Sequence, residues 1–249
     1  MSRERLEEHR RIWDGKPVLA RVYEPWFDAL LAQAGVGQRV LEIGAGPGFL
    51  GAYARRRRPD LRWVATDVLP VPWNDVAADG GRMPFRDAAF DAVVCLDLVH
   101  HMARPRAFFA EAVRVLRPGG RIAAVEPWVT PMSYPIYRWL HEEGCDLRVD
   151  PWDPFPASAG GKEAFEGNGA LTWRVVRSGT RGQWAEMGLG APRVEALNAF
   201  GYLLSLGFRE RSLLPERLAP LADRFDRATR ALAPLTAMRA MVVWEKLTA

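Results

Sequence analysis

Three glycines in alternate positions, preceded by an acid, are the residues of this sequence that most directly suggest chemistry. The acid is Glu42, and Gly44, Gly46 and Gly48 follow it. Glycine has no Cβ and reaches positive φ at little cost, so a ligand can lie directly against the backbone of such a turn. A nicotinamide or flavin dinucleotide fingerprint would need its third glycine one position later, where the chain has Phe49. The turn therefore predicts a small-ligand site, and its spacing disfavours a dinucleotide.

A second carboxylate stands at the spacing that a ribose-containing ligand requires. Asp67 ends the short apolar segment 62–67 and follows Gly48 by about 20 residues. A carboxylate at the end of the second strand of a nucleotide-binding unit can accept hydrogen bonds from ribose hydroxyls. A turn-forming role before Val68 is the alternative. Asp67 is thus a candidate ligand residue.

His100 and His101 are the candidate catalytic residues. They follow the apolar run 92–96, and imidazole is the side chain whose ordinary pKa lies nearest to neutral pH. Either ring could remove a proton from an oxygen or nitrogen acceptor, and holding the loop by hydrogen bonds is the alternative for both. His141 and Glu126 are weaker candidates. No group of Cys and His residues has the spacing of a zinc site, so no metal is expected.

Alternating strand and helix patterns must position these residues. Short apolar runs and helical periodicity predict strands at 40–43, 62–67, 92–96 and 121–126, and helices at 49–57, 104–116 and 134–144. Strands and helices in alternation imply a parallel sheet. The glycine turn and Asp67 then lie at the carboxyl ends of strands, where open α/β sheets bind ligands.

With these motifs in place, the sequence resembles the class I S-adenosylmethionine (SAM) dependent methyltransferases over roughly residues 38–126. An acid followed by G-x-G-x-G is the first motif of that family. The block from Asp79 through Met83 to Asp91 resembles the family pattern in which D-a-x-x-L-P-F precedes s-F-D, with Met83 at the usual leucine position. The Leu-Arg-Pro-Gly-Gly turn at 116–120 and the histidine pair after the fourth strand are also similar to this family.

The resemblance implies that SAM is the cofactor and S-adenosylhomocysteine its product. The residues expected to contact the cofactor are Glu42, Gly44, Ala45, Gly46, Gly48, Asp67, Val68, Asp79, Gly80 and Leu96. Glu42 and the glycine amides would meet the methionine end, Asp67 the ribose, and Asp79 with the Gly80 amide the adenine. The implied fold class is α/β: a Rossmann-like, doubly wound, mostly parallel sheet of seven strands with an antiparallel last strand and helices on both faces.

We expect a single domain over residues 1–249. Its expected parts are a helical segment 1–37, a SAM-binding core 38–126, a lid-like, substrate-covering insertion 127–190 after strand five, and C-terminal strands and a helix in 191–249. The first segment either covers a sheet edge or caps the cofactor pocket. Aromatic residues in the insertion argue against disorder. A helix with apolar residues between 214 and 232 is expected to pack on the sheet, with a membrane-surface helix as the alternative.

Bulk composition excludes several other classes of protein. The 249 residues are 49% hydrophobic with a formal net charge of +4, so a nucleic-acid partner is not expected. Cys95 and Cys145 suggest no disulfide framework. The charged N-terminus lacks the apolar segment of a signal peptide, and no run approaches the roughly 18 apolar residues of a transmembrane segment. We therefore expect a cytoplasmic protein, and we leave its oligomeric state open.

The predicted function is methyl transfer, by in-line displacement, to a small-molecule acceptor that is apolar, aromatic or lipid-like. The N/D-P-P-Y/F sequence of several base and amide methyltransferases is missing after strand four, which disfavours that nitrogen chemistry. The alternatives are a methyltransferase of RNA or protein, a catalytically silent SAM-binding scaffold subunit, and a nicotinamide oxidoreductase, which Phe49 disfavours. The acceptor atom, whether oxygen, nitrogen or carbon, is left open.

Overall fold

Seven strands in the described part of the chain form one mostly parallel sheet. In this computed structural model the described residues are 2–35, 37–141, 143–155 and 166–248. The strands are β1 (Arg39–Ile43), β2 (Arg62–Asp67), β3 (Val76–Ala77), β4 (Phe90–Leu96), β5 (Leu116–Pro127), β6 (Arg193–Leu197) and β7 (Arg239–Glu245). They run in the order β3-β2-β1-β4-β5-β7-β6, and β7 is antiparallel to both β5 and β6. The predicted sheet, with its antiparallel last strand, is confirmed.

Helices pack on both faces of this sheet. They are α1 (Ser2–Gly15), α2 (Pro17–Leu31), α3 (Phe49–Arg57), α4 (Pro105–Val115), α5 (Ser133–Trp139), α6 (Leu171–Ser178), α7 (Arg181–Glu186), α8 (Phe200–Ser205), α9 (Ala219–Ala228) and α10 (Ala233–Thr236). Side chains alternate between the two faces of a strand. Val40 and Val94 accordingly join the core that includes α2 and α3. Leu41 and Val93 join the core that includes α4 and α6.

The N-terminal segment both covers the sheet and caps the glycine turn, with one helix for each role. α2 buries Phe27 in the core on one face of the sheet. α1 lies over the turn: the Trp13 ring stacks on Phe49 with centroids 4.0 Å apart, and Arg10 donates a hydrogen bond to the Pro47 carbonyl at 2.7 Å. α2 therefore covers a face of the sheet rather than the expected edge, and α1 lies over the turn that was expected to contact the cofactor.

Lys16, between α1 and α2, joins the N-terminal segment to the C-terminal part of the chain. Its side chain is buried, and Nζ donates to four backbone carbonyls, those of Ser205, Gly207, Arg209 and Arg211, at 2.6, 2.7, 2.8 and 3.0 Å. The loop that supplies these carbonyls also lines the cavity described below. One ammonium group therefore fixes a wall of the candidate site.

We expect Lys16→Met to lower the free energy of unfolding by about 2 kcal/mol, because methionine fills the space but donates no hydrogen bond to the four carbonyls. Urea denaturation measures this loss. The matched control is Lys246→Met, because Nζ of Lys246 donates to two carbonyls, those of Val113 and Leu116. The control should lose about half as much. A Lys16 variant as stable as the wild type would contradict this role.

The insertion after β5 is less helical than predicted. α5 ends at Trp139, whereas the sequence pattern predicted a helix to Gly144. The chain turns away because Gly144 pairs with the segment before α6: the Gly169 N–H donates to the Gly144 carbonyl at 2.9 Å. The expected substrate-covering lid within 127–190 includes 156–165, which lie outside the described residues.

The expectation of one sheet-packing helix between 214 and 232 is wrong. A proline inside a helix removes a hydrogen bond, so α9 begins at Ala219 and holds Pro220 in its first turn. α9 packs on α2 and α8 rather than on the sheet, and Leu221 and Phe225 are 62% and 51% exposed.

Among the residues that the structure describes, no helix has the length and apolar character needed to cross a membrane.

Candidate functional site

A cavity of about 920 Å³ opens at the carboxyl ends of β1, β2, β4 and β5. This edge is where open α/β sheets bind ligands. One wall is the glycine turn with the acids that follow it, and α1 covers that wall through Leu6 and His9. The opposite wall is largely aromatic and apolar, with Tyr137 from the insertion and Tyr202 from α8. Residues from distant parts of the sequence thus meet around one space.

The glycine turn has backbone angles that favour glycine. Gly44, Gly46 and Gly48 have φ of 69°, 51° and 81°. A Cβ on Gly44 would lie 2.6 Å from Leu98 Cδ1, and one on Gly48 would lie 2.8 Å from the Trp73 ring. Close packing therefore requires glycine at both positions. Gly48 is the N-cap of α3 and, unlike the other two, does not line the cavity.

Glu42 lies at the end of β1, behind the turn. Its carboxylate is buried and accepts a hydrogen bond from Trp63 Nε1 at 2.7 Å. Burial raises the pKa of Glu42 to about 7, and the Trp63 hydrogen bond and the charge of Arg55 offset only part of that effect. Glu42 is therefore close to half-ionised at neutral pH, and it also lines the cavity.

Asp67 braces the glycine turn as well as lining the cavity. Its Oδ2 accepts from the Gly46 N–H at 2.8 Å, and its Oδ1 accepts from the Leu69 N–H at 2.9 Å. Burial raises the pKa of Asp67, although these hydrogen bonds act in the opposite direction. The turn-forming role considered for Asp67 is thus present in the structure. Val68, next along the chain, is exposed and lines the cavity.

Asp79 and Gly80 line the same cavity as Gly44 and Gly46 of the glycine turn. Asp79 Oδ1 accepts from the Gly81 N–H at 2.8 Å, and both Asp79 and Gly80 line the cavity. A Cβ on Gly80 would lie 2.8 Å from Met102 Cε and 3.2 Å from Ile43 Cγ2, so a larger residue here would displace its neighbours. Of the ten predicted cofactor residues, Gly48 is the one outside the lining; Leu96 and Ala45 belong to it.

Glu126, at the end of β5, organises the loop after β4. Its Oε1 accepts from the N–H groups of Leu98 and Val99, both at 2.8 Å. Its Oε2 accepts from His100 Nδ1 at 2.7 Å and from the Thr172 hydroxyl at 3.1 Å. Burial by itself would raise the pKa of Glu126, but the charge and hydrogen bond of His100 hold it below its usual value. Glu126 is fully buried, so it positions the loop.

His100 is held between two carboxylates. Its Nδ1 faces Glu126, and its Nε2 lies 3.0 Å from Glu143 Oε2. Burial lowers the pKa of His100, but Glu126 and Glu143 together raise it to about 10. Both ring nitrogens are thus engaged, and the imidazolium form is favoured. This geometry supports the loop-holding alternative for His100.

His101 has the opposite environment. Its Nδ1 lies 3.0 Å from the Glu166 carbonyl oxygen, to which it donates as the neutral tautomer, and its Nε2 lies 3.6 Å from Glu143 Oε1. Burial and the neighbouring charge of His100 lower the pKa of His101 to about 4. The Nε2 lone pair of His101 is therefore free of a proton at neutral pH. His141 also lines the cavity, and its Nδ1 accepts from the Glu143 N–H at 3.2 Å.

Three cavity residues were not found from the sequence. Arg239, the first residue of β7, forms a buried ion pair with Asp97, and its guanidinium lies 4.9 and 5.0 Å from the ring centres of Trp26 and Tyr202. Glu143 is the third. The positive φ of Asp97, 55°, could not be read from the sequence. Neither Arg239 nor Glu143 belongs to a sequence motif. The one available signal was for Arg239, a charged residue at the start of an otherwise mostly apolar last strand.

Part of this chain is similar in sequence to known methyltransferases. Residues 41–124 match the family model described as a methyltransferase domain. An uncharacterized methyltransferase of Mycobacterium sp. (strain JLS) is 31% identical over 123 residues, 46% of this chain and 48% of that protein. Demethylmenaquinone methyltransferase of Beutenbergia cavernae is 32% identical over 126 residues, 41% of this chain and 47% of that protein. The chain spans about half the length of the curated relatives it matches.

A solved structure agrees in fold over the whole chain. It belongs to a complex between the Haloferax volcanii Trm112 methyltransferase activator and a methyltransferase. The TM-score is 0.56 at 14% identity, with 100% of this chain and 99% of that chain covered, which shows likeness of fold. The segment that matches the family model contains the glycine turn, Asp67, Asp79 and the histidine pair. This chain is therefore similar in sequence to methyltransferases over residues 41–124, and similar in fold to a methyltransferase over its whole length.

Proposed function

We propose that this protein transfers a methyl group from SAM to a small, largely apolar acceptor bound in the cavity. The observation that supports this most strongly is the division of the cavity into two unlike ends. Glu42, Asp67 and Asp79 lie along one wall, beside bare glycine backbone. Aromatic side chains such as Tyr137 and Tyr202 follow β5 and β6 in the other half of the sheet, and His101 follows β4, which lies between the two halves.

The acid-lined wall suits the three parts of SAM. Carboxylates favour the ammonium of the methionine end and accept hydrogen bonds from ribose hydroxyls and from an adenine amino group. We assign Glu42 with the Gly44 backbone to the methionine end, Asp67 to the ribose, and Asp79 with Gly80 to the adenine. The hydrogen bonds of Asp67 to the turn leave each of its oxygens further acceptor capacity, so it can brace the turn and bind ribose together.

The aromatic end suits an acceptor with apolar surface. Tyr137, Tyr202, Leu203 and Phe208 come from the insertion, α8 and the loop that Lys16 fixes. Methyl transfer needs little covalent help from the protein, because positioning donor and acceptor in line can account for about 7–11 kcal/mol of the barrier. One relative bears the name demethylmenaquinone methyltransferase, which is consistent with a lipid-like acceptor.

For the histidine pair we propose separate roles. His101, with an unprotonated Nε2, would face the acceptor. His100, engaged through both nitrogens, would hold the loop in place. A methyltransferase of RNA or protein is the second candidate, which the mildly positive net charge of +4 allows. A silent SAM-binding scaffold would keep the acid wall but show no dependence of turnover on His101.

Binding of S-adenosylhomocysteine tests the cofactor assignment. We expect this ligand to raise the melting temperature, because a ligand at 100 times its dissociation constant adds about 2.7 kcal/mol of stability. NAD at the same concentration should have no effect. A shift with NAD and none with S-adenosylhomocysteine would overturn the proposed function.

Substitution of one glycine locates that binding site. We expect Gly44→Ala to weaken S-adenosylhomocysteine binding at least about tenfold in calorimetric titration, because the new Cβ would press on Leu98 at the cavity wall. Gly37→Ala is a matched control: Gly37 has φ of 70°, against 69° for Gly44, and nothing lies within 4 Å of its Cβ position. Both variants carry similar backbone strain, so equal losses of affinity would refute the placement.

A further inference from the structure

Three side chains that commonly bind metal ions converge in the lining of the cavity. They are His100, His101 and Glu143, called here the His-His-Glu cluster. Their ligand atoms all lie within 4.8 Å of one another. Glu143 faces both rings: its Oε2 lies 3.0 Å from His100 Nε2, and its Oε1 lies 3.6 Å from His101 Nε2. Among the residues that the structure describes, this is the one group with such geometry.

These separations suit shared coordination of one ion. Histidine nitrogen and carboxylate oxygen bind zinc at about 2.0–2.2 Å, so two such ligands at tetrahedral or right angles lie about 3.0–3.5 Å apart. The two contacts of Glu143 fall at or beside that range. An ion could therefore enter the cluster with small movements of side chains that already face one another, taking the place of the proton that lies between His100 Nε2 and Glu143.

The other ring nitrogen of each histidine is held as metal sites require. Histidines that bind metal almost always donate their second N–H to a carboxylate or a backbone carbonyl, which fixes the ring and the tautomer. His100 Nδ1 is paired with the buried Glu126, and His101 Nδ1 with the Glu166 carbonyl. Gly167 allows that close approach, because a Cβ there would lie 2.7 Å from His101 Nδ1. Both Nε2 atoms are consequently aimed at Glu143.

We propose that the His-His-Glu cluster binds one divalent transition-metal ion of the Zn²⁺ type, with an open coordination position towards the acceptor end of the cavity. Two imidazoles and one carboxylate with a free position are the ligand set of catalytic rather than structural zinc. The sequence had suggested no metal, because Glu143 lies far along the chain from the histidine pair and the spacing matches no zinc motif.

The role of the ion rests on the proposed function. A hydroxyl group bound at the open position would lose its proton to water at a lower pH than in free solution. Its oxygen would then form the new bond to the methyl carbon while the carbon–sulfur bond of SAM breaks and the electron pair remains on sulfur. In this mechanism the atom that accepts the methyl group is an oxygen. Metal binding itself does not depend on that chemistry.

Zinc content tests the site. Full-length protein is freed of metal with a chelator, loaded with ZnCl₂, passed over a desalting column and analysed by mass spectrometry of the metal. We expect about one zinc per chain. Cobalt(II) loading should give the visible absorption of a low-coordinate ion with nitrogen ligands. Folded wild-type protein that retains neither ion would overturn the proposal.

Variants test which residues hold the ion. Glu143→Gln keeps the size and a hydrogen-bond acceptor for His100, and we expect it to bind zinc at least about a hundredfold more weakly. His101→Ala should show the same loss. His141→Ala is the matched control, because His141 lines the same cavity outside the cluster, and it should keep the zinc. Zinc binding that survives both cluster variants, or that only His141→Ala removes, would refute the assignment.

S-adenosylhomocysteine binding, measured on the same samples, separates this proposal from the proposed function. Protein that binds zinc but not S-adenosylhomocysteine would support the cluster and overturn the cofactor assignment. Protein that binds S-adenosylhomocysteine but no zinc would support the cofactor assignment and overturn the proposed metal site.

Discussion

Glu126→Gln should lower the free energy of unfolding by about 3–5 kcal/mol, the largest loss that we expect from any single substitution in this chain. The side chain keeps its size but loses its charge. His100, which Glu126 contacts at 2.7 Å, then lies in a buried site without its main partner. Breaking a buried ion pair at one partner leaves an uncompensated charge, and that charge carries most of the cost.

Hydrogen-bond geometry adds to this cost. Both carboxylate oxygens of Glu126 only accept hydrogen bonds, from Leu98, Val99, His100 and Thr172. A glutamine side chain offers one oxygen and one NH₂ group, so its NH₂ must face donors whichever way the amide is turned. A buried donor left without an acceptor costs about 1–3 kcal/mol. The loop from Leu98 to His100 should therefore loosen as well.

The control is the same change at an exposed site. Glu245 ends β7, and its side chain, about half exposed, pairs loosely with Arg121 at 3.7 Å. Glu245→Gln should change the free energy of unfolding by less than about 0.5 kcal/mol. Urea denaturation at neutral pH compares the two variants with the wild type. Equal stabilities of the two variants would show that Glu126 does not organise the loop.

The sequence predicted most of the sheet because each of its signals is local. The apolar runs, the glycine turn and the strand–helix alternation are properties of neighbouring residues, and they gave β1, β2, β4 and half of β5. Asp67 was identified from its interval after the glycine turn, and Asp79 from the resemblance of residues 79–91 to a methyltransferase pattern. These residues meet at one cavity because parallel strands end at one edge of the sheet.

The remainder of the site depends on contacts between distant segments. Glu143 reaches the histidine pair because the chain turns at Gly144 to pair with Asn168, and no periodic pattern encodes that pairing. Arg239 faces the cavity because β7 inserts antiparallel between β5 and β6. The contrast between His100 and His101 likewise depends on Glu126 and Glu143, which lie far from the pair in the sequence and raise the pKa of His100, whereas burial and the charge of His100 lower the pKa of His101. Local reasoning named both histidines but could not assign them different roles.

Glu42→Gln should make the protein more stable than the wild type at high pH and leave its stability unchanged at low pH. In the native state burial raises the pKa of Glu42 to about 7, whereas an unfolded glutamate has a pKa near 4.5. The native state therefore holds a proton that the unfolded state has released between these two values. Wild-type stability falls across that window as the pH rises, and the loss is complete above about pH 7.

The expected difference between Glu42→Gln and wild type is about 3 kcal/mol at pH 8 and close to zero at pH 4, because one pKa unit corresponds to about 1.4 kcal/mol. Glutamine resembles the protonated acid and can still accept the hydrogen bond from Trp63. Urea denaturation across this pH range, with Glu245→Gln as the exposed control, measures the difference. A constant offset in the free energy of unfolding between variant and wild type would show that Glu42 does not titrate in this window.

If the carboxylate also meets the ammonium group of the cofactor, S-adenosylhomocysteine should bind the wild type more tightly as the pH rises through 7, whereas its affinity for Glu42→Gln should stay constant.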